Sequence, residues 1–365
     1  MATGSGRGGR GPGSGGSVVV VTGAAGPLGR RVCELAAADP AVARVVALDR
    51  RPLSTMAVGI DRHQVELALA DLKPLCEGAD VVVHLAQADG PHPGAGGLTG
   101  SGIGDGELAH RVLDVASSVG ASHVVLLSSA TSYGAWANNP VPLTEDAPLR
   151  PNPGVAIASE KAELERAAAD WREDHPGTTV TVLRPCITVA AEGNGWLARA
   201  LSRASTVPVT EDEPPAQFLD VADLASAVDV ARRMRLDGPR NVAPDGWISG
   251  ETARQLAGGG PRVRLPERVA VRLAGWRWRW GMASTPPELL PYTVHPWVVA
   301  NDRLRADGWE PTATNEEAYV ASHQAGPWAT MSPRRRQELA LGATGVVLVG
   351  AVVGVVALVR RCVAS

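Results

Sequence analysis

Lysine is almost missing from this chain. Of 35 basic residues only Lys73 and Lys161 are lysines, and arginine holds the other cationic positions. Arginine keeps its proton in a protein while lysine can release it, so each surviving lysine is a candidate for chemistry. Tyrosine is nearly as scarce, with Tyr133, Tyr292 and Tyr319 only. The four cysteines, Cys33, Cys76, Cys186 and Cys362, have neither metal-ligand nor redox-pair spacing. That pattern excludes a zinc framework, predicts no metal and reads as reduced thiols. A net charge of −3 gives no basic footprint, so nucleic acid is not an expected partner.

Residues 1–16 are mostly Gly, Ser and Arg and are expected to form a disordered leader. They lack the apolar stretch of a secretory signal, which predicts that the main domain stays in the cytoplasm. From Ser17 the pattern changes. Val18–Val21 is an unbroken β-branched run, as a parallel strand buried on both faces requires. Further strands are expected at Val45–Leu48, Asp80–His84, His123–Ser128 and Thr179–Leu183. Helices are expected at Arg31–Ala38, Glu107–Val119 and Ser159–Arg172. This alternation predicts a doubly wound α/β fold, a parallel sheet with helices on both faces, over residues 17–185. Residues 186–330 are richer in Pro and Trp and read as a smaller substrate-binding region. Its expected helices are Trp196–Ala204, Val221–Met234 and Pro266–Met282, with part of 217–234 returning to the sheet domain.

Thr22-Gly23-Ala24-Ala25-Gly26-Pro27-Leu28-Gly29 follows the first strand and opens the first helix. Gly23 suits a tight turn, Gly26 a close approach to a pyrophosphate, and Gly29 close helix–strand packing. The helix N-terminus offers free N–H groups to phosphate. Asp49, 20 residues beyond Gly29, ends the second strand where a carboxylate can bond both adenosine ribose hydroxyls. The expected cofactor is NAD. Arg50 and Arg51 keep NADP open, because a guanidinium there can accommodate a 2′-phosphate.

The TGxxGxxG spacing resembles the extended short-chain dehydrogenase/reductases, the NAD-dependent epimerase/dehydratase family. Asp71-Leu72 is similar to that family's adenine-contacting pair. Val83-His84-Leu85-Ala86 resembles its fourth-strand motif beside the cofactor, and Leu127-Ser128-Ser129-Ala130-Thr131-Ser132-Tyr133-Gly134 its fifth-strand motif. Leu183-Arg184-Pro185 resembles the strand end that curls around the nicotinamide, and Gln217–Leu224 a later motif. The resemblance implies cofactor contacts from Gly23, Gly26, Leu28, Gly29, Asp49, Arg50, Asp71, Leu72, Leu85, Ala86, Lys161 and Pro185.

The same resemblance implies a catalytic tyrosine and lysine four residues apart on a helix, with a strand-five hydroxyl steadying the substrate oxygen. Ser129 takes the hydroxyl position and Lys161 the lysine position. The tyrosine position is Ile157, which carries no proton. Tyr133 is the one nearby substitute. Lys161 is expected to remain as a ribose ligand, against the alternative of a solvated helix lysine, and His84 reads more readily as a packed strand-end residue than as a catalyst. Two functions stay open. One is a membrane-tethered NAD-dependent oxidoreductase or epimerase acting on a sugar nucleotide or a lipid-like alcohol. The other is an NAD-binding sensor or membrane-complex subunit without turnover.

The tether is read from Leu339–Val359, 21 residues without a charge between Arg334-Arg335-Arg336 and Arg360-Arg361. At about 1.5 Å per residue such a helix spans roughly 30 Å, a bilayer's hydrocarbon core. Gly350 and Gly354 would let two such helices approach, the basis of an expected homodimer. In Pro266–Met282, Val269, Leu273, Trp276 and Trp280 recur at helical spacing among arginines. That suits either a membrane-interface helix or an ordinary cover for the substrate region.

Overall fold

A computed structural model describes residues 16–53, 57–87, 104–191, 194–204, 214–256, 266–280 and 286–322. Of the expected leader (1–16), residues 1–15 lie outside the described residues, as does the expected span (339–359). Among the described residues no helix is long and apolar enough to cross a membrane.

The strands are β1 (Ser17–Thr22), β2 (Val42–Asp49), β3 (Ile60–Gln64), β4 (Val81–His84), β5 (His123–Leu127), β6 (Thr179–Pro185), β7 (Ile187–Val189), β8 (Phe218–Asp220) and β9 (Gly238–Val242). The helices are α1 (Pro27–Ala38), α2 (Asp105–Val119), α3 (Ala156–Asp174), α4 (Trp196–Ala204), α5 (Val221–Met234), α6 (Gly250–Leu256), α7 (Glu267–Arg279), α8 (Pro291–Val294), α9 (Asp302–Ala306) and α10 (Asn315–Ser322).

Seven strands form one parallel sheet in the order β3-β2-β1-β4-β5-β6-β9. Alternate side chains feed two cores. Val19, Val21, Val45, Val83 and Val125 face α1 and α5, while Val20, Val46, Val82, Val124 and Leu126 face α2 and α3. Two-sided burial is what the unbroken valine runs require. The strand order reverses between β1 and β4, so the crevice for a ligand opens where Thr22 lies beside His84.

Two edge strands escaped the sequence pattern. β3 is mostly polar and exposed, and β9 carries Pro239, a residue sheets accept at an edge. Three helices also start earlier than their apolar period suggests, α2 by two residues at Asp105. α1 begins at Pro27, a proline suited to a first helical position, which places its N-terminus at Gly26. α3 begins at Ala156, so Ile157 lies in its first turn. Beyond β6, β7 and β8 make a separate parallel pair, against which α10 packs with Tyr319 edge-on to Phe218. α5, N-capped by Asp220, returns to cover α1.

Candidate functional site

The glycine turn is built by exclusion on two sides. Gly23 has φ +72°, and a Cβ there would lie 2.6 Å from the Ala86 nitrogen. At Gly29 a Cβ would lie 2.3 Å from the Gly23 carbonyl oxygen. Both positions therefore admit glycine only. Gly26 differs, for a Cβ there would meet only ordinary contacts, the Arg51 guanidinium at 3.4 Å and the Gly23 carbonyl oxygen at 3.8 Å. It is the N-cap of α1, and no side chain caps the helix. The unpaired N–H groups and positive dipole end are thus left for an anion, an arrangement that fits a pyrophosphate.

Asp49 closes the turn from β2. Its carboxylate accepts the Ala25 N–H at 2.9 Å and the Arg51 N–H at 2.8 Å, and the Arg51 guanidinium lies 3.3 Å away. Arg51, one of the two arginines expected there, therefore stands beside Asp49. The Arg50 carbonyl accepts from Gln64. Leu72 is buried in the core and Asp71 is exposed, accepting the Lys73 N–H. Leu28 is partly buried against the core, Leu85 is buried, and Ala86 passes against Gly23. Pro185 ends β6, buried.

At the other end of the crevice the residues depart from expectation. Lys161 is not a solvated lysine. It is 1% exposed, and its Nζ donates to the Leu127 carbonyl at 3.1 Å and lies 2.7 Å from the Asp105 carboxylate. Asp105, in the first turn of α2, is itself buried. An ammonium has three donors, so these two contacts leave one for a further partner. Ser129 Oγ accepts from both the N–H and the hydroxyl of Thr131, at 3.2 and 2.9 Å. Its own proton therefore remains available to donate. Ile157 is half-buried and packs on the core one helical turn before Lys161.

Tyr133 does not stand in for the missing tyrosine. Its hydroxyl donates to Asn241 at 2.8 Å and accepts from Arg184 at 2.6 Å, and the residue is fully buried. Burial pushes its pKa up to about 12 although Arg184 opposes the rise. The reason is a network the sequence did not reveal. Arg184 holds Glu165 through two bonds, of 2.8 and 2.6 Å. The Glu165 carboxylate also accepts from Ser128 at 2.5 Å, and Glu145 accepts the Asn241 N–H. Each strong donor and acceptor there is matched, so Tyr133 serves as a structural strut. The available signal was Arg184 as the one charge in a strand otherwise free of charge, which demands a buried partner.

His84 is also buried. Its Nδ1 lies 2.7 Å from the Thr22 hydroxyl, while Nε2 has no hydrogen-bond partner. Burial, helped by the nearby Lys161 charge, lowers its pKa to about 4, so the ring is neutral at pH 7. Asp105 was likewise missed by sequence reasoning, because an acid in a helix's first turn ordinarily reads as a dipole partner. Among the described residues no His/Cys/Asp/Glu group could hold a metal ion.

The chain is similar to known proteins in sequence and in fold. The chain is 27% identical to the uncharacterized protein Rv0501 of Mycobacterium tuberculosis and to its counterpart Mb0513 of Mycobacterium bovis, covering 83% of this chain and 82% of each relative. In fold it is similar to the UDP-glucose 4-epimerase of Thermus thermophilus, a complex with NAD (20% identity, TM-score 0.61). It is similar also to the UDP-glucuronic acid 4-epimerase of Bacillus cereus with UDP-glucuronic acid and NAD (14% identity, TM-score 0.63). In each case 84% of this chain and 97% of the other is covered. The model of the NAD dependent epimerase/dehydratase family matches residues 19–243, from the first buried strand to the end of the sheet, and the chain belongs to that family.

Proposed function

We propose that this protein is an NAD-binding, membrane-tethered oxidoreductase or epimerase that acts on a hydroxyl or carbonyl of a sugar nucleotide or a lipid-like alcohol. The observation that carries the reading is the buried Lys161–Asp105 pair, 2.7 Å apart and bonded to the strand that leads into Ser129. Burying two charges is costly unless they are paired, and an apolar pair would pack there without that cost. Family membership and the UDP-sugars bound by the solved relatives support the substrate class.

The open face at Gly26 and the carboxylate of Asp49 are the residues that would hold the dinucleotide, with NADP kept as the alternative because Arg51 stands beside Asp49. When bound, the cofactor supplies a hydride acceptor and donor. Ser129, polarised by Thr131, would donate to the substrate oxygen, and the third Lys161 donor would hold the ribose. Ile157 carries no proton, and the Tyr133 hydroxyl is committed to Asn241. The proton route therefore does not run through either position. The uncharged run Leu339–Val359 supports the tether, and Arg334–Arg336 on its near side supports a cytoplasmic main domain.

Ile157 favours the second reading, a cofactor-binding sensor or complex subunit without turnover. Replacing Ile157 by Tyr separates the two. A positioned acid–base group contributes about 10²–10⁴-fold in rate. A gain of that order, in NADH oxidation by apolar ketones or in NAD+ reduction or epimer formation with UDP-sugars, supports an enzyme site short of one proton carrier. Bound NADH with no turnover in either form supports the sensor.

A further inference from the structure

Helix α7 is built inside out. Its small residues Ala270 and Ala274 are buried, while Val269, Leu273, Trp276 and Trp280 are exposed. Their spacing of four, three and four residues puts these four on one face of the helix. Trp276 is 55% exposed and Trp280 68%. At 100° per residue, Arg272 and Arg279 flank that face on one side and Arg277 on the other, and no acidic residue occurs from 269 to 280. Inside the molecule α7 rests on the short turn Pro287–Leu289, whose Leu289 is buried.

We propose that α7 lies in the surface of a bilayer containing anionic lipid, with the two tryptophans and Leu273 among the upper acyl chains and the arginines at the headgroups. Tryptophan suits that boundary because one end of its ring is apolar and the other donates a hydrogen bond. Arginines bordering an apolar face reach back to phosphates. A second copy of the chain is a poorer occupant. A twofold contact through this face would set three arginines against three arginines with no acid to pair them. The choice of a membrane rests on the tether reading. Residues 323–338 can cover roughly 55 Å at about 3.4 Å each, so one bilayer can take both the helix and the uncharged run.

α7 also borders the site. The Pro287–Leu289 turn on which it rests brings Glu288 to 3.2 Å from where a Gly154 Cβ would be, two residues before α3 begins. Docking would therefore hold the substrate side of the crevice at the lipid surface.

The test uses the full chain in vesicles of phosphatidylcholine with a minority of phosphatidylglycerol. An environment-sensitive fluorophore is attached at Leu273→Cys in a Cys362→Ser background, where the other three cysteines are buried. The control label is at Val58→Cys, a fully exposed turn position. The expected result is blue-shifted emission at 273, quenched several-fold more by spin-labelled or brominated acyl chains than at 58. Trp276→Glu with Trp280→Glu should abolish the difference while the chain stays with the vesicles. A vesicle-bound chain whose label at 273 is as wet as that at 58 overturns the docking and leaves the tether standing. A chain that stays in the supernatant overturns both. Label at 273 shielded only at high protein density, without lipid quenching, overturns the bilayer in favour of a second copy.

Discussion

At the β1–α1 end of the crevice, backbone crowds Gly23 and Gly29, while a Cβ at Gly26 would meet only ordinary contacts beside an uncapped helix terminus. At the β5–α3 end most polar atoms are already paired, the Ser129 proton and one Lys161 donor excepted. Tyr133, Arg184, Glu165 and Ser128 form one bonded network, Lys161 is held by Asp105 and Leu127, and half-buried Ile157 packs against the core. The glycine-turn end leaves the N-terminus of α1 without a side-chain cap, while the β5–α3 end commits most of its donors to the fold.

The most severe test of that contrast removes one member of the closed network. Glu165→Ala leaves Arg184 buried without its counter-charge, and losing one partner of a buried pair costs about 3–5 kcal/mol. Denaturant unfolding should show a loss of that size. The double variant Glu165→Leu with Arg184→Met should recover a large part of it. A loss below about 1 kcal/mol, the scale of an exposed pair, would mean that the network is not a strut.

Acid should act next. His84 and His123 are both held to about 4 by burial, against an ordinary 6.5. Between those values the unfolded chain takes up protons that the folded chain refuses, so stability falls as pH drops from 6.5 to 4 and is unaffected above 6.5. Each histidine contributes about 3 kcal/mol across that window. Unfolding midpoints at about pH 7.5 and about pH 4.5 measure the drop. His123→Gln should make it smaller.

Asp49→Ala addresses the dinucleotide end. It should weaken NADH by about 1–3 kcal/mol, the scale for charged hydrogen bonds, as read by titration calorimetry. Equal affinity in both forms would remove the ribose assignment. The smallest effect on the fold is expected at Gly26→Ala. An alanine there meets the movable Arg51 side chain at 3.4 Å and the Gly23 carbonyl oxygen at 3.8 Å, both ordinary contacts, so stability should change by no more than about 0.5 kcal/mol. NADH binding should nevertheless fall measurably, because the added methyl occupies the space open to phosphate.

The central strands were legible because burial on both faces forces unbroken runs such as Val18–Val21, and the glycine turn because its spacing leaves few alternatives. The edges were not. β3 exposes polar residues, β9 is broken by Pro239, and β7 and β8 are three residues each, too short for any period to register. In the site, Ile157 and Lys161 were readable as positions, whereas Asp105 was not. It lies 56 residues before Lys161, and only the packing of α2 against α3 brings the two charges together. Periodicity likewise marked α7 as two-faced but could not say which face would look outward. That depends on what small residues such as Ala270 meet inside.

α3 carries both buried ion pairs one turn apart, Lys161 against Asp105 and Glu165 against Arg184. The signs alternate along the helix and oppositely along its neighbours. A slide of one turn in one direction would bring Lys161 to Arg184, and in the other direction Glu165 to Asp105. Both meet like charge in a dry interior. The one-turn ratchet by which packed helices sometimes switch state is thus closed to α3. Any motion that admits a substrate has to come from the segments around this helix, which acts as the fixed jaw of the crevice.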